Sequence, residues 1–138
     1  MRASRLLLLL CLLAAGCPWH SYAAVLRVHL DVLEGMADKA AGNAAAGRRP
    51  ASNDVTELQY PLQRARQFAH QYRADEGRES YRLFVAALDR YQALVEAIDA
   101  ARGDVQRWSA AQPTLPPLYE AWQQAAGQVR GALEDEAR

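Results

Sequence analysis

The sequence contains little cysteine, and both cysteines, Cys11 and Cys17, lie among the first 17 of its 138 residues. The rest of the chain has no thiols for a structural disulfide, so its stability must come from packing. β-Branched residues are also scarce, which argues against a protein built from β-sheets. Alanine, by contrast, occurs 28 times, and this composition favours helices.

Net charge is absent as well, because 16 Lys and Arg residues balance 16 Asp and Glu residues. A nucleic-acid-binding domain needs an excess of basic residues on one face, so the balance argues against nucleic acid as a partner. Hydrophobic residues make up 51% of the chain and charged residues 23%, which argues against a largely disordered protein. The length predicts about one domain.

Catalytic and cofactor motifs are missing too. The sequence has no Gly-x-Ser-x-Gly nucleophile elbow, no phosphate-binding loop and no Cys-x-x-Cys-His haem attachment motif. His29 and His70 lack a second good metal ligand three or four residues away on a helix. We therefore expect no enzyme activity, no metal site and no cofactor.

The first segment has the pattern of a secretory signal peptide. Arg2 and Arg5 precede an apolar run over Leu6–Ala15. As a helix, this run would span about 15 Å, which is half of the hydrocarbon core of a bilayer. A basic start, a short apolar core and small residues predict a cleaved leader. We expect the signal peptide to comprise residues 1–16, with 1–23 as the alternative.

Two cleavage sites are compatible with this leader. The segment LAAGC, ending at Cys17, resembles the lipobox of bacterial lipoproteins, in which the cysteine is lipidated and becomes the new N-terminus. This copy departs from the usual pattern, because Ala14 and not leucine stands three residues before the cysteine. The alternative is cleavage after Ala23, behind the small residues of the segment SYA, which would release a soluble protein.

The lipobox resemblance implies that acyl chains on Cys17 anchor the protein in a lipid membrane. The next residue is Pro18 and not Asp. By the sorting rule of Gram-negative lipoproteins, this implies an outer-membrane anchor that faces the periplasm. Residues 17–23 would then form a tether, and residues 24–138 a single helical domain.

Apolar residues recur at spacings of three and four along the mature region, which is typical of amphipathic helices. We predict helix one from Ser21 or Ala24 to Ala41, helix two from Asn53 or Asp54 to a break at 75–77, helix three from about Arg78 to Ala111 with a bend at Gly103, and helix four from about Pro116 to Asp135. Asp54, followed by Glu57, resembles a capping box at the start of helix two.

Four such helices with short loops predict an all-α, four-helix antiparallel bundle. An elongated helical hairpin that completes its core as a homodimer is the alternative, because helices two and three have heptad-like spacing. Arg48 and Arg49 form a small basic spot in the loop between helices one and two. The acidic residues Glu134–Glu136 oppose the dipole of helix four, and we expect them to fray.

Aromatic residues cluster in the second half of the chain. Packing in the core is the simplest explanation for such a cluster. The functional interpretation is an apolar groove between helices three and four, which would accept a partner helix or a lipid chain. The candidate groove residues are Phe84, Tyr91, Trp108, Tyr119 and Trp122.

These features favour a non-enzymatic lipoprotein of the bacterial cell envelope that acts as an accessory or docking module for another envelope protein. In size, anchor and helicity it resembles the pilotins, small lipoproteins that escort secretion-channel subunits, although it has no pilotin motif. The alternative is a soluble periplasmic helical carrier or sensor that binds a lipid, haem or metal.

Overall fold

The computed structural model describes residues 17–138, with side chains from Tyr22 onward. Every regular element in this range is helical, so the prediction of an all-α fold is confirmed. The α-helices are α1 (Cys17–Ala45), α2 (Ser52–Gln71), α3 (Glu79–Ala100), α4 (Val105–Ala111) and α5 (Leu115–Glu136), with 3₁₀ turns at Arg73–Asp75 and Gln112–Thr114. The predicted signal peptide and the side chain of Cys17 lie outside the described residues.

The four long helices pack as an antiparallel bundle. The Nζ of Lys39, late in α1, lies 3.4 Å from the Oε2 of Glu57, early in α2. At the other end of the pair, the ring of Tyr22, early in α1, packs on the ring of Tyr72, which follows α2. Helices α1 and α2 therefore run in opposite directions.

The remaining neighbours are related in the same way. Tyr81, early in α3, donates a hydrogen bond to the carbonyl of Ala69, late in α2. Arg130, late in α5, pairs with Asp31 in the first half of α1 at 2.7 Å. Contacts join α1 to α2, α2 to α3, α3 to α5 and α5 back to α1. This closed ring corresponds to the bundle and not to the hairpin alternative.

The core includes the apolar positions that the helical spacing selects on α2, α3 and α5. On α1, only part of the apolar surface is buried. Leu26, Leu30 and Leu33 are fully buried, whereas the side chains of Val28 and Val32 are 59% and 47% exposed. A helix in a bundle turns one face inward, so a face as broad as that of α1 cannot be buried completely.

The predicted long third helix is interrupted, because α3 ends at Ala100 and a separate helix, α4, begins at Val105. Gly103 between them has φ of 86°, a left-handed conformation that is easily reached without a Cβ. Asp104 then caps α4, since its carboxylate accepts a 2.8 Å hydrogen bond from the amide of Gln106. A left-handed glycine followed by an N-cap residue ends one helix and starts another. The sequence predicts a bend at this point, and the structure has a break instead.

The start of α2 also differs from the prediction. The N-cap is Ala51, and Asp54 stands three residues later, where its carboxylate accepts a 2.8 Å hydrogen bond from the amide of Ala51. Asp54 therefore supplies the reciprocal half of a capping box, and its predicted role as the N-cap is wrong. The helix continues through Pro61, which lies inside it.

Over the described residues, none of the helices combines the length and the apolar character that crossing a membrane requires.

Candidate functional site

The near end of the bundle, where α1 begins, is built around Tyr22. This side chain is fully buried, and its hydroxyl forms a 2.8 Å hydrogen bond with the hydroxyl of Ser80, which is also fully buried. The ring lies 6.1 Å from that of Phe68 and 5.8 Å from that of Tyr72. The core thus extends to a residue that the sequence analysis assigned to the 17–23 tether.

Charged groups surround this tyrosine. The guanidinium of Arg78 lies 4.8 Å from the centre of the Tyr22 ring and forms a 3.0 Å ion pair with Asp75. Burial raises the pKa of the Tyr22 hydroxyl.

The carboxylate of Glu136 lies at the same end. Its Oε1 accepts a 3.1 Å hydrogen bond from the backbone amide of Ser80, in the first turn of α3. Although Glu136 opposes the dipole of its own helix, it complements the partial positive charge at the start of α3. This contact runs against the expectation that the acidic end of α5 frays.

The far end of the bundle contains an apolar cleft of about 300 Å³, which we call the end cleft. It lies where the C-terminal part of α1 meets the end of α3 and the start of α5. Its walls include Ala40, Ala41, Ala44, Leu94, Ile98 and Tyr119. About 27 residues of α1 separate Cys17 from Ala44, which corresponds to about 40 Å along a helix.

A second depression of about 260 Å³, the arginine recess, adjoins the end cleft. The two share the wall residues Ala40, Ala44, Ile98 and Leu115. The recess is more polar, because its lining includes Arg48, Arg49, Asp54 and Trp108. The far end therefore combines an apolar cavity with a neighbouring pair of cations.

Two polar side chains of the end cleft are already engaged in hydrogen bonds. Gln112 donates a 2.8 Å hydrogen bond to the carbonyl of Ala44 and so joins the 3₁₀ turn before α5 to the end of α1. The hydroxyl of Tyr119 donates to the carboxylate of Asp38. That hydrogen bond raises the pKa of Tyr119 to about 12, with smaller contributions from burial and from the charges of Asp38 and Glu34.

The five aromatic residues of the predicted groove do not share one open surface. The side chains of Phe84, Tyr91 and Trp122 are fully buried in the core, where the last two form an edge-to-face pair with ring centres 5.4 Å apart. Trp108 lines the arginine recess and Tyr119 lines the end cleft. Two of the five are thus at a candidate binding surface, and three stabilise the interior.

His29 and His70 are not part of a candidate metal site among the residues with described side chains. Within the described range, no group of three or more His, Cys, Asp or Glu side chains is placed to hold a metal ion. The ring of His29 lies 5.1 Å from that of Phe68, and burial, together with the charge of Arg64, lowers the pKa of His29. His70 is exposed on α2.

Sequence reasoning missed the end cleft, although part of its signal was present. The segment that ends α1 is rich in alanine, and two arginines follow it. Small side chains leave space beside a helix only if neighbouring helices do not fill it, and helical periodicity does not report on that packing. No protein-family model, curated protein or solved structure matches this chain.

Proposed function

We propose that this chain is a non-enzymatic lipoprotein of the bacterial cell envelope, anchored through acylated Cys17 in the outer membrane, that docks another envelope protein. The burial of Tyr22, five residues after Cys17, is the observation that carries this proposal. It bears directly on the choice between the two cleavage sites.

Cleavage after Ala23 would remove Tyr22 from the core. The ring would leave a gap beside Phe68, and the buried hydroxyl of Ser80 would lose its hydrogen-bond partner. Removing a large buried aromatic side chain costs about 3–5 kcal/mol, a large part of the 5–15 kcal/mol that stabilises a typical domain. Cleavage before Cys17 leaves every described contact in place, and it is the step that a lipobox directs.

The course of α1 supports a close attachment to the membrane. The helix extends from Cys17 without a break, and Tyr22 follows about 8 Å further along its axis. The near end of the bundle would therefore sit at the lipid surface. The far end would project into the periplasm, where an accessory protein of the pilotin kind would meet its partner.

The mature N-terminus tests the anchor. Intact mass and peptide mass spectrometry of protein from the native host should identify an acylated Cys17 as the first residue. Labelling with a palmitate analogue should be lost in Cys17→Ser and kept in Cys11→Ser, which serves as the matched control within the leader. A mature chain that starts at Ala24, or one that keeps Met1, contradicts the anchor.

The docking role needs a separate experiment. A photo-crosslinking residue in place of Val105, which is 58% exposed on α4 near the far end, should form a discrete adduct with one envelope protein in vivo. The same residue in place of Glu134, exposed near the other end, serves as the control. Identical adduct patterns at both positions, or no adduct at Val105, contradict docking through the far end.

A further inference from the structure

The end cleft and the arginine recess lie side by side at the far end of the bundle. We propose that together they bind a single-chain anionic amphiphile of the fatty acid class, with its alkyl chain in the cleft and its carboxylate at Arg48 and Arg49. This inference goes beyond the proposed function, which assigns no ligand to the cavity.

The cleft suits an alkyl chain because its walls are almost entirely aliphatic. Alanines of α1 form one side, and Leu94, Ile98 and Leu115 contribute to the other. The polar groups of Gln112 and Tyr119 are engaged with Ala44 and Asp38, so they do not require a polar ligand. A volume of about 300 Å³ lies at the lower end of the range for small-molecule sites.

The recess suits an anionic headgroup because of its charge. Neither Arg48 nor Arg49 forms an ion pair with another described residue, whereas most other arginines of the bundle do. Asp54 lines the same recess, but one carboxylate against two guanidinium groups leaves the lining with a net positive charge. A guanidinium can hold a carboxylate through two parallel hydrogen bonds.

The combination favours an amphiphile over an uncharged lipid or a cation. An apolar cavity by itself would accept any alkyl chain, and an arginine pair by itself would accept any small anion. Shared wall residues bring the two surfaces together, so that one molecule with an anionic head and a single tail can occupy both. Trp108 lines the recess and supplies a fluorescence signal for occupancy there.

Binding can be measured on residues 17–138 carrying Cys17→Ser, since every described core residue lies within Tyr22–Leu133. Circular dichroism first establishes that the chain and each variant are helical. Titration with dodecanoate below its micelle concentration, followed by calorimetry and tryptophan fluorescence, should give saturable binding of one molecule per chain. Dodecylamine, which has the same tail and the opposite charge, should not bind at this site.

Two variants test the two halves of the site. The double variant Arg48→Ala and Arg49→Ala removes the cations from an exposed loop, and Ala41→Leu places a larger side chain in the cleft wall. Each should weaken dodecanoate binding at least tenfold. The exposed double variant Arg64→Ala and Arg90→Ala, and Ala24→Leu on the exposed side of α1, are the matched controls and should bind as the parent does.

Three results would overturn the proposal. These are the absence of saturable dodecanoate binding, equal affinity in all of the variants, and binding of dodecylamine as tight as that of dodecanoate. None of them depends on acylation of Cys17, so failure here is distinguishable from failure of the lipoprotein proposal.

Discussion

The backbone amide of Ser80, in the first turn of α3, donates a 3.1 Å hydrogen bond to the carboxylate of Glu136, at the end of α5. The two residues are 56 positions apart in sequence, and the hydroxyl of Ser80 meanwhile bonds to Tyr22 on α1. One small residue thus joins three helices at the near end of the bundle. Its contacts explain why the last turn of α5 and the first turns of α1 belong to the folded core.

We predict that Glu136→Ala destabilises the bundle by about 1 kcal/mol, the usual effect of losing a side chain that caps a helix N-terminus. Urea unfolding followed by circular dichroism measures the change. Glu134→Ala is the matched control, because this exposed glutamate lies two residues earlier. An equal effect of both variants would show that the loss of a negative charge near the end of α5, and not the loss of the contact with Ser80, causes the destabilisation.

We predict that Tyr22→Ala lowers the free energy of unfolding by about 3–5 kcal/mol, because it empties a fully buried position. Tyr22→Phe keeps the ring but leaves the hydroxyl of Ser80 without its partner, at a cost of about 1–3 kcal/mol. Tyr60→Ala, at a tyrosine that is 62% exposed, should change stability little.

The same measurement on a chain that begins at Ala24 connects stability to processing. This truncation should be at least as unstable as Tyr22→Ala, because it removes the same ring. A truncated chain as stable as one that begins at residue 17 would remove the structural reason to favour cleavage before Cys17.

We predict a delayed ionisation of Tyr119. Its hydrogen bond to Asp38 raises the pKa in the folded state to about 12, from an ordinary value of 10.0. A raised pKa means that the folded state holds the proton more tightly than the unfolded state. The resulting stabilisation is complete below pH 10 and declines as the pH rises from 10 towards 12.

Ultraviolet difference spectroscopy of tyrosinate, with Tyr119→Phe to assign the signal, measures this pKa. Asp38→Asn should move it towards the ordinary value, because the charge that resists tyrosinate formation is removed. If Asp38→Asn leaves the Tyr119 titration unchanged, the hydrogen bond does not govern the ionisation.

We predict that His29 makes the free energy of unfolding depend on pH in the mildly acidic range. Burial and the charge of Arg64 lower its pKa below the ordinary value of 6.5, so the folded state binds fewer protons than the unfolded state. The contribution of His29 is therefore complete above pH 6.5 and is lost as the pH falls below it. Proton NMR of the imidazole measures the pKa directly.

Three variants test whether His29 is responsible. His29→Gln should reduce the loss of stability that occurs as the pH falls below 6.5. His70→Gln, at an exposed position on α2, is the matched control and should not reduce this loss. Arg64→Gln should raise the pKa of His29, since a neighbouring positive charge is removed. Identical pH profiles for the parent chain and His29→Gln would contradict this prediction.

Much of the fold follows from local pattern. The apolar spacing of α2 and α3 identifies the faces that are buried, and short loops between amphipathic helices lead to an antiparallel bundle. At Gly103 the sequence predicts a bend in one long helix, and the structure has a break between two helices there. Whether a glycine bends or ends a helix depends on its φ and on the cap that follows, which is why the break at Asp104 was not foreseen.

The candidate site was less accessible to sequence reasoning. An aromatic residue at a helical spacing has the same local pattern whether it fills a core, as Trp122 does, or lines a cavity, as Tyr119 does. Only the fit of facing helices separates these two outcomes. The end cleft likewise arises where alanines of α1 meet α3 and α5 without filling the space between them.

The amino-acid sequence by itself determined that this chain forms helices and which faces of α2, α3 and α5 turn inward, because a period of 3.6 residues is a local property of the backbone. The tertiary structure decided that Tyr22 belongs to the core, that Glu136 caps another helix, and that Arg48 and Arg49 adjoin an apolar cleft. Each of these depends on pairs of residues that are distant along the chain and that only packing brings together.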